Sequence, residues 1–211
     1  MYLTQEELHA ALVERHGAEI QDKFDRASVG IAGLGGLGSN IAVHLARLGV
    51  GRLVLVDFDV VDSTTLSRQH YTMKDTGIPK TLALLEQLEA INPYLNYETY
   101  TERVIPANAV RLFAGCDVVC EAFDRADQKA MLIETLLVRL PDTPIVSGSG
   151  MAGYGSANAM RIEQKFSRLY VCGDGMSDIA DGIGLMAPRV AVCAAQQATM
   201  AMRLLLGERE P

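Results

Sequence analysis

The chain has 211 residues, 49% apolar and 21% charged, the balance of a globular protein with one sizeable core. Its formal net charge of −7 discourages binding to nucleic acid or anionic membrane, and no stretch reaches the ~18 apolar residues of a membrane span. Residues 1–7 have neither a basic head nor an apolar run, and the four cysteines (Cys116, Cys120, Cys172, Cys193) form no Cys-x-x-Cys pair, so a cytoplasmic protein with reduced thiols is expected.

In chain order, residues 4–24 read as a helix, with Leu8, Leu12, Val13 and Ile20 near helical spacing and Thr4 and Glu7 as a capping box. Ser28 to Ala32 is a short apolar strand that stops at a glycine cluster. A helix over 37–48 follows, with Gly49 as its C-cap, and then a second buried strand over 52–56. Helix 79–91, an alternating stretch at 95–101, helix 106–114, strand 117–121, helix 126–139 and strand 143–147 continue the alternation. Beyond residue 150 come Gly- and Ser-rich strands and loops, and helix 188–206 closes the chain with Pro188 in its first turn. Strands alternating with helices argue for a parallel sheet flanked by helices, an α/β fold in one unit.

Gly33-Leu34-Gly35-Gly36-Leu37-Gly38 stands at a strand–helix junction, where glycines allow close backbone approach and leave helix N-terminal N–H groups free for phosphate. Asp57 ends the next strand 24 residues after Gly33, close to the ~20-residue offset of an acid on ribose hydroxyls. These features predict a nucleotide site without separating NAD from ATP. Asp57-Phe58-Asp59, Leu66-Ser67-Arg68-Gln69, Lys80 and Asp124 complete an ordered set. The carboxyl ends of parallel strands line one crevice, so Asp57, Asp59 and Asp124 are expected to converge there, with Arg68 and Lys80 supplying positive charge.

That ordered set, over about residues 26–139, resembles the ThiF/MoeB family of ubiquitin-activating-type adenylyltransferases. Gly184-Leu185-Met186-Ala187-Pro188-Arg189-Val190 is a weaker echo, and the short length resembles a compact ThiF-like branch linked to thiamine biosynthesis. The resemblance implies a Rossmann-like single adenylyltransferase domain: an N-terminal helix (1–26), a nucleotide-binding core (27–150) and a strand and crossover region with a closing helix (151–211). It implies ATP and Mg²⁺ as cofactors, a ThiS-like sulfur-carrier protein as partner, and a homodimer. The glycine loop (Gly33, Gly35, Gly36, Gly38), Asp57, Asp59, Ser67, Arg68, Gln69 and Lys80 would hold ATP. Arg68, Lys80 and Asp124 would carry catalysis, with Asp124 on Mg²⁺. A MoaD-like carrier or a peptide substrate, a non-catalytic nucleotide-binding relative and an NAD-dependent oxidoreductase stay open as alternatives.

The sequence departs from the family pattern at Thr65, where an Asn is usual, and at Arg125, beside Asp124, where a cation could pair with the metal acid. It lacks the paired Cys-x-x-Cys motifs of zinc-bearing relatives, so no zinc is expected. Cys172 is the cysteine read into a loop of the crossover region, with a packed apolar thiol as the alternative to a covalent link. Arg15 is the candidate for an arginine reaching a neighbouring subunit. Arg189 is either an interface element or a helix-end surface charge.

Overall fold

The computed structural model describes residues 3–211; Met1 and Tyr2, the start of the segment read for a secretory signal, lie outside the described residues. Two helices lead in, α1 (Gln5–His16) and α2 (Ala18–Arg26), and Thr4 caps the first through the expected box with Glu7. The single helix expected over 4–24 is broken at Gly17, whose φ of 84° no helical L side chain shares. Apolar residues keep a roughly helical spacing across the break, which hid it from a periodicity reading.

The alternation then follows the expected order: β1 (Ser28–Ala32), α3 (Gly36–Leu48), β2 (Arg52–Val56), α4 (Lys80–Ile91), β3 (Asn96–Tyr100), α5 (Pro106–Phe113), β4 (Val118–Glu121), α6 (Ala126–Arg139) and β5 (Ile145–Gly148). Past residue 150 come β6 (Arg161–Phe166), β7 (Leu169–Gly173) and α7 (Ala187–Leu205). The seven strands form one sheet in the order β3-β2-β1-β4-β5-β7-β6, parallel throughout except for β6, which runs antiparallel to β7 at the edge. This is the Rossmann-like α/β arrangement.

Helices cover both faces, so the central strands are apolar on both sides rather than alternating. Ile41 and Leu45 of α3, Leu84 and Leu88 of α4, and Val190 and Cys193 of α7 pack with Val29, Ile31, Leu53 and Leu55. Leu112 and Phe113 of α5, with Leu132 and Leu136 of α6, cover Val54, Val56, Val119 and Ile145 on the other face. Strand order reverses around β1, between β2 on one side and β4 on the other, and a crevice opens at their carboxyl ends. The segment 174–186, between β7 and α7, crosses back over that crevice, where Ser177, Asp178 and Ile179 line it.

Candidate functional site

The crevice is a cavity of about 300 Å³, walled by the glycine loop, the ends of β2, β4 and β5, and the segment 177–179. The loop follows β1 directly. Gly33 N–H donates to the Val56 carbonyl (2.8 Å), and the Tyr71 hydroxyl donates to the Leu34 carbonyl (2.8 Å), so the turn is tied to β2 and to the segment before α4. Burial raises the Tyr71 phenol's pKa, with Asp57 and Asp75 adding to the shift, so it stays a neutral donor. Gly35 stands at the N-cap of α3 and no side chain caps this 13-residue helix, so its first N–H groups have no side-chain acceptor. Gly38 does not line the cavity. A Cβ there would lie 1.8 Å from the Gly33 carbonyl oxygen, so its role is to let α3 pack against the chain leaving β1.

Asp57 is 7% exposed, and its carboxylate accepts from Leu34 N–H (2.6 Å) and Asp59 N–H (2.8 Å). The acid at the end of β2 therefore grips the glycine loop itself. Burial raises its pKa, against the pull of Lys80 and the two amides. Lys80 opens α4 and is also buried, with Nζ 3.0 Å from an Asp59 carboxylate oxygen and 3.8 Å from Asp57. Lys80 is thus no solvated surface lysine, although most lysines are.

Arg68 and Gln69 follow the 3-10 turn Ser63–Thr65 and reach the cavity beside Gly35 and Gly36. Two side chains of α3 hold this segment: Ser39 accepts from His70 N–H (3.1 Å), and the Asn40 amide reaches the Arg68 carbonyl (3.4 Å). Gln69 is buried with its Oε1 unpartnered. Ser67, grouped with them in the sequence, is exposed and lies outside the cavity lining. Thr65 bonds back to the Asp62 carbonyl, at the outer side of the turn.

Asp124 follows Ala122–Phe123, three residues beyond the end of β4, and is exposed and lines the same cavity. Arg125 does not pair with it: the guanidinium is turned to Asp127, at 2.9 and 3.0 Å, which leaves the Asp124 carboxylate open. An exposed single carboxylate beside the glycine loop fits Mg²⁺, which takes one or two carboxylates and fills its octahedron with phosphate oxygens and water. Among the described residues no cluster of three or more His, Cys, Asp or Glu side chains could hold a metal alone.

Three elements of the site escaped the sequence reading. Arg103, just past β3, lies with its guanidinium carbon 3.8 Å from the centroid of the Phe58 ring, and both line the cavity. Glu121 is fully buried at the end of β4 and is bonded by Lys129 of α6. Lys129 shares a helical face with the buried Leu132 and Leu136, and that spacing was the available signal.

Two readings are corrected. Cys172 lies in β7, not in a loop, and is buried, with burial driving its thiol pKa up; Cys120 and Cys193 are likewise pushed up to about 12 by burial. A buried neutral thiol is a poor nucleophile. Arg189 is no helix-end surface charge: it is 5% exposed, bonded to Asp174 (2.5 Å) and to the Ser156 carbonyl (3.1 Å). Arg15 is exposed in the last turn of α1.

A Gly-rich turn at a helix N-terminus, a strand-end acid gripping it, and cations over the same crevice define a Rossmann-like α/β protein with a polar crevice at the carboxyl ends of its strands. The chain belongs to the ThiF family, which it matches over residues 7–211. The "Adenylyltransferase and sulfurtransferase UBA4" of Eremothecium gossypii is 33% identical over 202 residues, 92% of this chain and 45% of that protein. The "Sulfur carrier protein adenylyltransferase" of Thermus thermophilus is 34% identical over 154 residues, 71% of this chain and 56% of that one. The chain thus spans about half the length of these curated relatives. Among solved structures, the tRNA N6-threonylcarbamoyladenosine dehydratase TcdA of E. coli, in complex with ATP, superimposes with a TM-score of 0.86 at 20% identity, covering 98% of each chain. At that identity the likeness speaks for the fold.

Proposed function

We propose that the protein adenylates the C-terminal carboxylate of a ubiquitin-like sulfur-carrier protein, a ThiS-like one serving thiazole formation for thiamine. One observation carries the reading: the uncapped α3 N-terminus, Asp57 with Lys80, Arg68 and Asp124 all face one cavity of about 300 Å³. The names of the relatives, adenylyltransferases of sulfur carriers, support the same chemistry.

In this reading ATP is the co-substrate. The N–H groups at the start of α3 and the guanidinium of Arg68 hold its phosphates, Asp57 accepts from the ribose hydroxyls, and Lys80 neutralises charge beside them. A carboxylate oxygen of the carrier attacks the α-phosphorus, the bond to the bridging oxygen of pyrophosphate breaks, and pyrophosphate leaves with that electron pair. No protein nucleophile or proton transfer is needed. Mg²⁺ on Asp124 would supply Lewis-acid neutralisation of the phosphate charge. Arg68 and Lys80 meet the remaining repulsion between two anions brought together for in-line attack. Arg15 reaching a second copy belongs to the same proposal, as do a homodimer and a cytoplasmic setting.

No histidine lines the cavity among the described residues, and His70 is exposed and turned to Gln87 (2.9 Å), which weighs against a hydride-transfer enzyme. The net charge of −7 weighs against a tRNA substrate of the kind named for TcdA. The deciding measurement is ATP–pyrophosphate exchange, run with carriers ending in Gly-Gly and with Mg²⁺ present. Carrier-dependent exchange is the expected result. ATP binding without exchange for any carrier would leave a nucleotide-binding protein in place of the enzyme.

A further inference from the structure

Adenylation brings a second anion, the acyl carboxylate, to a cleft that already holds a polyphosphate, and it needs a cation of its own. The cations lining the cleft differ in what holds them. Lys80 is committed to Asp59 and Asp57, Arg125 to Asp127, and Arg103 lies over Phe58. Arg68 stands at the glycine-loop side, where a Cβ on Gly36 would come within 3.5 Å of its Cγ. On the opposite side, beyond the ends of β4 and β5, the lining cation is Lys129.

Lys129 is held in an unusual way for a lysine. Its Nζ lies 2.9 and 3.2 Å from the two carboxylate oxygens of Glu121, which is 0% exposed. Glu121 is itself immobilised: Phe123 N–H donates to one oxygen (2.7 Å) and the buried Ser147 hydroxyl to the other (2.6 Å). Gln197 of α7 bonds the carbonyls of Glu121 and Val146 at 3.1 Å each, fixing β4 and β5 beneath the acid. An ammonium has three donors, and a single carboxylate engages at most two, so one N–H remains. The side chain is 20% exposed, and it lines the cavity on the side where backbone at 148–152 faces the segment 177–179. That side of the cavity is bounded by the small residues Gly148, Ser149 and Gly150.

We propose that Lys129, positioned by Glu121 and Ser147, binds the terminal carboxylate of the acyl substrate and orients it toward the nucleotide. The assignment rests on the adenylation reading and names the residue that distinguishes acyl substrate from nucleotide in this cleft. Lys129 touches substrate, whereas Glu121 acts only through it.

The test uses the full chain loaded with α,β-methylene ATP and a Gly-Gly-ended carrier, prepared with a free C-terminal carboxylate and as its C-terminal amide. Wild type is expected to bind the acid at least tenfold tighter than the amide. Lys129→Met is expected to lose that preference while its Kd for the nucleotide changes less than twofold, and Lys129→Arg is expected to restore most of it. Removing one partner of a buried pair strands the other, so the double variant Glu121→Gln/Lys129→Met, which leaves no buried charge, is measured beside it. In steady state, Glu121→Gln is expected to raise KM for the carrier more than it lowers kcat. Retention of the acid preference in the folded double variant, or an equal loss of nucleotide affinity, overturns the assignment alone. A wild type that gives no exchange with any carrier overturns the adenylation reading and this assignment with it.

Discussion

At Asp57, burial raises the carboxyl pKa while Lys80 and the amides of Asp59 and Leu34 pull the other way, and burial prevails. The folded chain therefore holds this proton to higher pH than the unfolded chain does. Its contribution to stability is full below the ordinary aspartate range and is lost as pH climbs through the raised value. Asp57→Asn abolishes that loss, so the difference in unfolding free energy between variant and wild type is expected to drift in the variant's favour from about pH 4 upward. Urea titrations across that window measure it, and a difference independent of pH would contradict the assignment. The same variant is expected to bind ATP about ten- to a hundredfold more weakly, the worth of a charge-assisted hydrogen bond. Asp57 was legible in the sequence because a strand end and a glycine loop frame it. Lys129 and Arg189 were not, because each is held by an acid on another element, Glu121 at the end of β4 and Asp174 at the start of the crossover.

Elements were legible wherever local chemistry and tertiary packing agree. Pro106 and Pro188 start helices where expected, Gly49 ends α3 in a left-handed conformation, and β1, β2 and β4 are the short apolar runs of a doubly covered sheet. The break at Gly17 and the antiparallel turn of β6 were not, since helical spacing tolerates one glycine and nothing local in Arg161–Phe166 sets strand direction. The junction of β1 with α3 depends on Gly38, where an added methyl would meet the Gly33 carbonyl at 1.8 Å. Gly38→Ala is expected to cost about 3 kcal/mol, the upper range of overpacking, because the obstacle is backbone and cannot rotate away. The shift in denaturant midpoint reports it, and a change below about 1 kcal/mol would mean that α3 slides freely on β1. Between β2 and β3, Arg52 grips Glu98 through two nitrogens at 2.7 and 3.0 Å, and that hydrogen bonding holds the Glu98 carboxyl below its usual range. A depressed acid stabilises above its unfolded pKa and loses that contribution as pH falls. With both side chains about a third exposed, Glu98→Gln is expected to cost about 0.5–1 kcal/mol at neutral pH and nothing in acid, in paired denaturant titrations.

Across the whole molecule, α7 connects the Lys129 side of the cleft to the glycine-loop side. It packs against α3, β4, β5 and β7, and Val190 sits so close to the glycine loop that a Cβ on Gly36 would meet it at 2.9 Å. One residue earlier the buried Arg189 reaches Asp174 and the Ser156 carbonyl, so the helix also anchors the start of the 174–186 segment and the loop between β5 and β6. Burial works against ionisation at Asp174, yet the Ser177 and Met176 amides, the Ser177 hydroxyl and Arg189 together keep its carboxyl below the usual range. Stripping the guanidinium leaves an acid still bonded to its own loop but no longer bonded to the helix. Arg189→Ala is therefore expected to cost about 3 kcal/mol globally, as for a broken buried pair, and to loosen 174–186 further than the rest of the fold. Amide exchange in that segment should quicken more than tenfold beyond the global change, whereas the Gly33 and Leu34 N–H groups, held by the Val56 carbonyl and the Asp57 carboxylate, should not share the excess. Uniform quickening through α3 and the crossover alike would show that Arg189 serves only overall stability. Selective quickening would make it the strut that keeps the roof in register with the phosphate loop, and carrier KM should then rise while ATP affinity holds.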